Sequence, residues 1–87
     1  MTTPVIAGFL RTPFARAHKG FLKEIRPDDF SSKVVKALIS RNPSILNDLE
    51  DLLLGCAYPE GAQGNNIAKI VSFMTNMPEH VAGMTVN

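Results

Sequence analysis

The sequence predicts an α/β fold in which strand and helix alternate, and three observations carry that prediction. Three runs of strand length stand out: Val5 to Leu10, near-continuously apolar as in a strand covered on both faces, Leu52 to Cys56 as a second buried strand, and Val81 to Asn87 as a third. Two stretches with helical periodicity lie between them. Strand, helix, strand, helix, strand in that order, joined by right-handed crossovers, makes parallel strands with helices laid over the sheet.

The first strand, Val5 to Leu10, is apolar apart from Gly8 and ends at Arg11-Thr12-Pro13, where proline stops a ladder. A long polar connection follows from Thr12 to Arg26, a length at which loops are often functional or touch a neighbour. Pro27-Asp28-Asp29 opens the first helix, because proline fits the first turn and the acidic pair complements the positive end of the helix dipole. Phe30, Val34, Ala37, Leu38 and Arg41 keep helical spacing, and Asn42-Pro43 ends the helix because a residue before proline avoids helical angles. Ser44 to Leu49 has room for a short extra helical turn before the acidic pair Glu50-Asp51 leads into the second strand.

Beyond that strand, YPEGAQGNN reads as a turn-rich loop. Ile67, Ile70, Val71 and Met74 then fall at i, i+3, i+4 and i+7, with Asn65 or Asn66 as N-cap and Met77-Pro78 as the closing signal. The third strand runs from Val81 to Asn87.

Composition bounds what such a chain can do. Eighty-seven residues make one small domain at most, burying only about 60–65% of its unfolded surface. With 45% hydrophobic and 20% charged residues the chain is globular. Nine basic against eight acidic residues leave a net charge of +1, which argues against nucleic acid as partner. Arg11, Arg16, Lys19, Lys23 and Arg26 do gather in the first third, so a local anion-facing patch is one reading of that loop and a solvated surface the other. The single cysteine excludes an internal disulfide, no apolar run is long enough to span a bilayer, and the N-terminus lacks signal-peptide patterning. The expectation is a cytoplasmic protein away from membranes.

Candidate chemistry is sparse. Cys56 near a strand end has the position of a nucleophile, yet Ala57, Tyr58 and Pro59 follow it and no histidine is near in sequence, so packing is the favoured reading. His18 and His80 lie in separate loops and are expected on the surface. Gly61-Ala62-Gln63-Gly64 ahead of a helix has the form of an anion-cradling turn, but lacks the Lys-Ser/Thr of a phosphate loop and the glycine triplet of a dinucleotide site. Met74, Met77 and Met84 read as core fillers. These residues alone make an α/β half-domain with no complete catalytic constellation.

Taken jointly, "RTPFARAHKG", "RPDDF", "LLLGCAYPEGAQGNNIAKI" and "MTVN" resemble, in order and spacing, the N-terminal segment of the thiolase family, and "GFLKEIRPDDF" is most similar to the degradative 3-ketoacyl-CoA thiolases of lipid metabolism and fatty-acid β-oxidation. Ala15 stands where many thiolases carry glycine. The resemblance implies that residues 1–87 are the βαβαβ portion of a thiolase N-terminal domain, part of a layered α-β-α-β-α fold when complete. It also implies acyl transfer between 3-ketoacyl-CoA and CoA through a covalent cysteine intermediate, run as thiolysis or as the reverse Claisen condensation. The thiolase nucleophile would sit three residues past Asn87, so no catalytic, cofactor-binding or metal residue is assigned within the chain and Cys56 does not inherit the role. CoA and acyl-CoA are then substrates and no cofactor is implied. Implied partners are the remainder of a thiolase subunit and a second copy, as a homodimer or dimer of dimers paired through the strand from Ala82 to Val86. The chain alone is expected to be inactive. Two readings from other classes stand beside it: a small non-enzymatic module binding an anion or CoA through the Arg11 to Arg26 loop, and a nucleotide-binding domain using the turn from Gly61 to Asn66.

Overall fold

The computed structural model of the chain describes residues 3–16 and 18–87. Met1 and Thr2, and Ala17 in the first motif segment, lie outside the described residues. Helix α1 spans Pro27–Arg41 and a 3-10 turn follows over Pro43–Asp48. Strand β1 covers Asp51–Gly55, helix α2 covers Ile67–Met74 and strand β2 covers Ala82–Val86.

Each element starts and stops for reasons legible in its residues. Pro27 occupies the first turn of α1, and Asp28 folds back so that its carboxylate accepts the Asp29 backbone N–H at 2.8 Å. The Arg26 guanidinium grips the same carboxylate twice, at 3.0 and 3.1 Å, so the Asp28 charge at the helix start is paired. Asn42 ends α1 ahead of Pro43, its backbone N–H given to the Ile39 carbonyl at 2.9 Å. Ile67, Ala68, Val71 and Ser72 form the buried face of the two-turn α2, which ends at Thr75. The Thr75 hydroxyl is shared between the Val71 and Ser72 carbonyls at 3.0 and 3.1 Å.

β1 and β2 pair in parallel, with Leu52 opposite Gly83, Leu53 opposite Met84 and Leu54 opposite Thr85. The crossover between them is α2, as the alternation of elements requires. Side chains alternate across this sheet. Leu52 and Leu54 turn inward and pack, with Val35 of α1, on a core of Cys56, Ile67 and Val71. Ile67, Val71 and Val81 are almost fully removed from water, each worth about 1.5–3 kcal/mol of burial. The opposite face of the sheet carries Leu53 and Met84 in the open, and Met84 is therefore a surface residue while Met77 fills the core.

The expected first strand does not form. Residues 5–10 join no ladder, with Val5, Ile6 and Phe9 each more than four-fifths exposed. They run across the C-terminal end of α1, where a β-carbon at Gly8 would lie 3.3 Å from Asn42 Nδ2 and 3.5 Å from Leu38 Cδ1. The physical reason is a shortage of cover. A strand apolar on both sides needs a ladder partner and a layer on each face, and two helices on one face of two strands supply neither a second layer nor a place between them. The sheet among the described residues thus has two strands instead of three.

Candidate functional site

Open parallel sheets place their sites beyond the carboxyl ends of the strands. Here that end gathers Cys56, the turn at Gly61–Gln63, Asn66 and Thr85. The Cys56 backbone N–H continues the ladder onto the Val86 carbonyl at 2.8 Å, which locks the two strand ends together.

A polar clamp then joins the β2 end to the start of α2. Asn65 and Asn66 both adopt left-handed backbone angles, φ of 57° and 56°, which asparagine tolerates better than most residues. Asn66 is the N-cap residue of α2 but does not cap with its side chain. Its amide instead donates to the Gly83 carbonyl at 3.0 Å, and its oxygen accepts the Thr85 hydroxyl at 2.7 Å. The Thr85 oxygen in turn accepts the Ala68 backbone N–H at 3.3 Å. The helix is capped by a threonine of the neighbouring strand. Lys69 adds a second tie, its ammonium reaching the carbonyls of Glu79 and Val81 and lying 4.8 Å from the centre of the Phe73 ring. Close approach makes this possible. A β-carbon at Gly83 would sit 2.5 Å from the Lys69 nitrogen, so α2 rests directly on the backbone of β2.

The remaining candidates can be placed one by one. Cys56 is buried against Ile67 and Val71, and its thiol donates to Gln63 Oε1 at 3.6 Å. A neutral amide as polar partner suits a packed thiol and does nothing to favour a thiolate. His80 is exposed, with Nε2 3.1 Å from the Leu49 carbonyl, and His18 is exposed in a turn at φ 64°. The structure brings neither histidine to the thiol as a hydrogen-bond partner. In the turn ahead of α2, the Gln63 and Gly64 N–H groups bond to Glu60 and Gly61 carbonyls, and the Ala68 N–H is held by Thr85. Three of the backbone donors around this turn are thus already engaged within the protein. Of the basic loop, Arg26 is engaged by Asp28, while Arg16, Lys19 and Lys23 point into solvent and Arg11 shares an open groove with Arg41. The Arg26 hydrogen bonds hold the Asp28 carboxyl below its ordinary pKa, with desolvation opposing. Among the described residues no His, Cys, Asp and Glu cluster could hold a metal ion, and no helix is long and apolar enough to cross a membrane.

Sequence reasoning missed the Asn66–Thr85 clamp. Its partners are nineteen residues apart, and the only local signal was the pair Asn65-Asn66 ahead of a helix.

Comparison with known proteins bears on what this strand end serves. Residues 4–87 match the family described as "Thiolase, N-terminal domain". The 3-ketoacyl-CoA thiolase of Aliivibrio fischeri is 38% identical over 88 residues, covering 100% of this chain and 23% of that protein. That of Bacillus subtilis is 38% identical over 87 residues, covering 100% of this chain and 22% of the relative. That of Photobacterium profundum is 39% identical, again over 100% of this chain and 23% of the relative. The chain therefore spans less than a quarter of the length of the curated relatives it matches.

Proposed function

Because the chain belongs to the thiolase family through its N-terminal domain, we propose that it supplies the scaffold on which a thiolase acyl-transfer site is built. Residues 1–87 are read as a partial domain whose β2 end presents the segment that would carry the nucleophilic cysteine. The observation that carries this reading is the clamp of Asn66, Thr85 and Ala68, which fixes the carboxyl end of β2 against the start of α2. Covalent catalysis needs its nucleophile positioned to within a fraction of an ångström, and a strand end held by three hydrogen bonds to a helix start is a rigid mount.

The reaction of the completed protein is acyl transfer between a 3-ketoacyl-CoA and CoA by way of a cysteine thioester, with degradative thiolysis favoured by the names of the relatives. Its partners are the remainder of a thiolase subunit, CoA thioesters and a second copy paired along the free edge of β2. A cytoplasmic setting fits this chemistry. Within the chain no residue is assigned to catalysis, cofactor or metal.

Assaying thiolysis of acetoacetyl-CoA tests the reading in two arms. The 87-residue chain alone should give no turnover, and mixing it with a separately expressed thiolase polypeptide lacking its first 87 residues should restore activity. Turnover by the chain alone would overturn the assignment of catalysis to residues outside it.

A second reading keeps one observation in its favour, the exposed Arg16, Lys19 and Lys23 with Arg11 and Arg41 beside them. It predicts calorimetric binding of CoA by the chain alone, lost when Arg16, Lys19 and Lys23 become alanine.

A further inference from the structure

Ala82-Gly83-Met84-Thr85-Val86 carries no charge and no proline, a composition that lets a bare strand edge recruit another strand. β1 differs, since Asp51 stands exposed at its start. Ladder geometry shows which groups of β2 are at risk. The Ala82 N–H donates to the Glu50 carbonyl at 2.9 Å, and the Val86 carbonyl accepts the Cys56 N–H at 2.8 Å. Ala82, Met84 and Val86 therefore turn their main chain toward β1. Val81, Gly83 and Thr85 turn theirs to the opposite edge, which no strand among the described residues covers.

Side chains of the α2 start reach that edge. Asn66 and Lys69 stand at i and i+3, on one face of the helix. The Asn66 amide donates to the Gly83 carbonyl at 3.0 Å. The Lys69 ammonium donates to the Val81 carbonyl and, at 3.2 Å, to that of Glu79. The Val81 N–H is itself turned back onto the Pro78 carbonyl at 3.0 Å. An incoming strand would thus meet both the Val81 and Gly83 carbonyls already engaged.

We infer that Asn66 and Lys69 guard the β2 edge, holding its carbonyls within the chain and closing it to an added strand. Both guards are residues of this chain, so the closure needs no second molecule. It goes beyond the acyl-transfer reading and bears on one part of it: a second copy pairs along β2 only after the two side chains release.

The chemistry of each guard suits the task. An ammonium has donors and no acceptor, so Lys69 satisfies carbonyls without offering a ladder of its own. It is held from another side by the Phe73 ring, 4.8 Å away at its centre. Two β2 edges brought together would also bring two Lys69 charges into one interface, where like charges oppose pairing. Asn66 is aimed by its left-handed backbone, φ 56°, which turns the amide from its own helix to the strand.

Amide-exchange NMR with sedimentation equilibrium on the 87-residue chain, between about 5 and 500 μM, tests the proposal over a range that brackets weak complexes. In the wild-type chain the Gly83 and Thr85 amides should exchange at a rate independent of concentration. Lys69→Met keeps the aliphatic stem and loses the ammonium. It should self-associate about tenfold more tightly or better, with Gly83 and Thr85 exchange slowing as the mass rises. Lys69→Arg, which restores donors and charge, should behave as wild type. Lys36→Met, the same change of charge at an exposed position of α1, should not reproduce the effect. Asn66→Gly keeps the left-handed backbone and loses the amide; it should act as Lys69→Met does, and it decides the question if Lys69→Met fails to fold. Concentration-dependent slowing at Gly83 and Thr85 in the wild-type chain overturns the proposal. So does exchange in the guard variants that stays independent of concentration. Equal association in Lys36→Met overturns it in favour of net charge.

Discussion

Replacing Gly83 by alanine tests how closely α2 sits on the sheet, and the neighbouring strand supplies its control. An alanine β-carbon at position 83 would lie 2.5 Å from the Lys69 nitrogen, 2.7 Å from Lys69 Cα and 3.0 Å from the Ala68 carbonyl carbon. All three are backbone atoms, so no side chain can swing aside, and relief requires α2 to back away by about 1 Å to reach ordinary contact distance. Overpacking of that kind costs about 1–3 kcal/mol. The shift also stretches the Asn66 bond to the Gly83 carbonyl and the Ala68 bond to Thr85, at about 0.5–1.5 kcal/mol each. Lower entropy of the unfolded chain returns about 0.4–1 kcal/mol. The net loss is about 1–5 kcal/mol, and for a domain of this size each kcal/mol moves the midpoint by about 4–8 °C, so Tm should fall by at least about 4 °C and by about 20 °C at the middle of that range. At Gly55 a β-carbon meets nothing within 4 Å, so Gly55→Ala should melt within a few degrees of wild type. Thermal melts by far-UV circular dichroism read both variants. A Gly83→Ala protein melting within about 2 °C of wild type, or a Gly55→Ala protein losing as much, would refute the direct seating of α2 on β2.

Other expectations follow from single contacts. Thr85→Val keeps the shape but loses both the hydroxyl to Asn66 and the acceptor for Ala68, and should cost about 1–3 kcal/mol in urea unfolding, whereas Thr85→Ser should recover most of it. Cys56, buried with Ile67 and Val71, should react with a disulfide reagent only at the rate of unfolding, and Cys56→Ala should cost about 1–2 kcal/mol; fast native-state labelling would contradict the packing role. Asp28 has a folded pKa below its unfolded value, so its contribution to stability is present above pH ~4 and is lost as pH falls through the lower folded value. Carboxyl-carbon NMR titration should show that value rising toward normal in Arg26→Ala, and an unmoved titration would show that the exposed guanidinium is screened out.

The elements that could be read from the residues are those whose determinants are local. Pro27-Asp28-Asp29 and Asn42-Pro43 bracket α1 at the residues where the helix begins and ends, because proline geometry acts within one residue. The i, i+3, i+4, i+7 stripe of Ile67, Ile70, Val71 and Met74 located α2, although the helix stops at Met74 with Thr75 as C-cap, ahead of the expected Met77-Pro78 signal. Parallel pairing of the two later strands followed from the single helix between them. The run from Val5 to Leu10 has equally clear strand composition and forms none, since composition reports how much cover a segment needs and not whether the chain supplies it. In a chain spanning under a quarter of its relatives' length, that distinction decides the outcome.

The polar clamp illustrates the same limit from the opposite side. Asparagine ahead of a helix is ordinarily read as a cap, because its short side chain reaches the first free amides. At Asn66 the left-handed φ of 56° accompanies an amide turned from its own helix to β2, leaving the amide of Ala68 to Thr85. A local cap would have stabilised α2 alone. The exchange of partners stabilises α2 only when β2 is in register, so the helix start and the strand end are ordered together or not at all. That coupling ties the end of β2 to the start of α2, as the proposed scaffold role requires. A double-mutant cycle on Asn66→Ala and Thr85→Val measures the coupling: about 1 kcal/mol or more of interaction energy is expected, and strictly additive losses would mean that each side chain acts on its own element only.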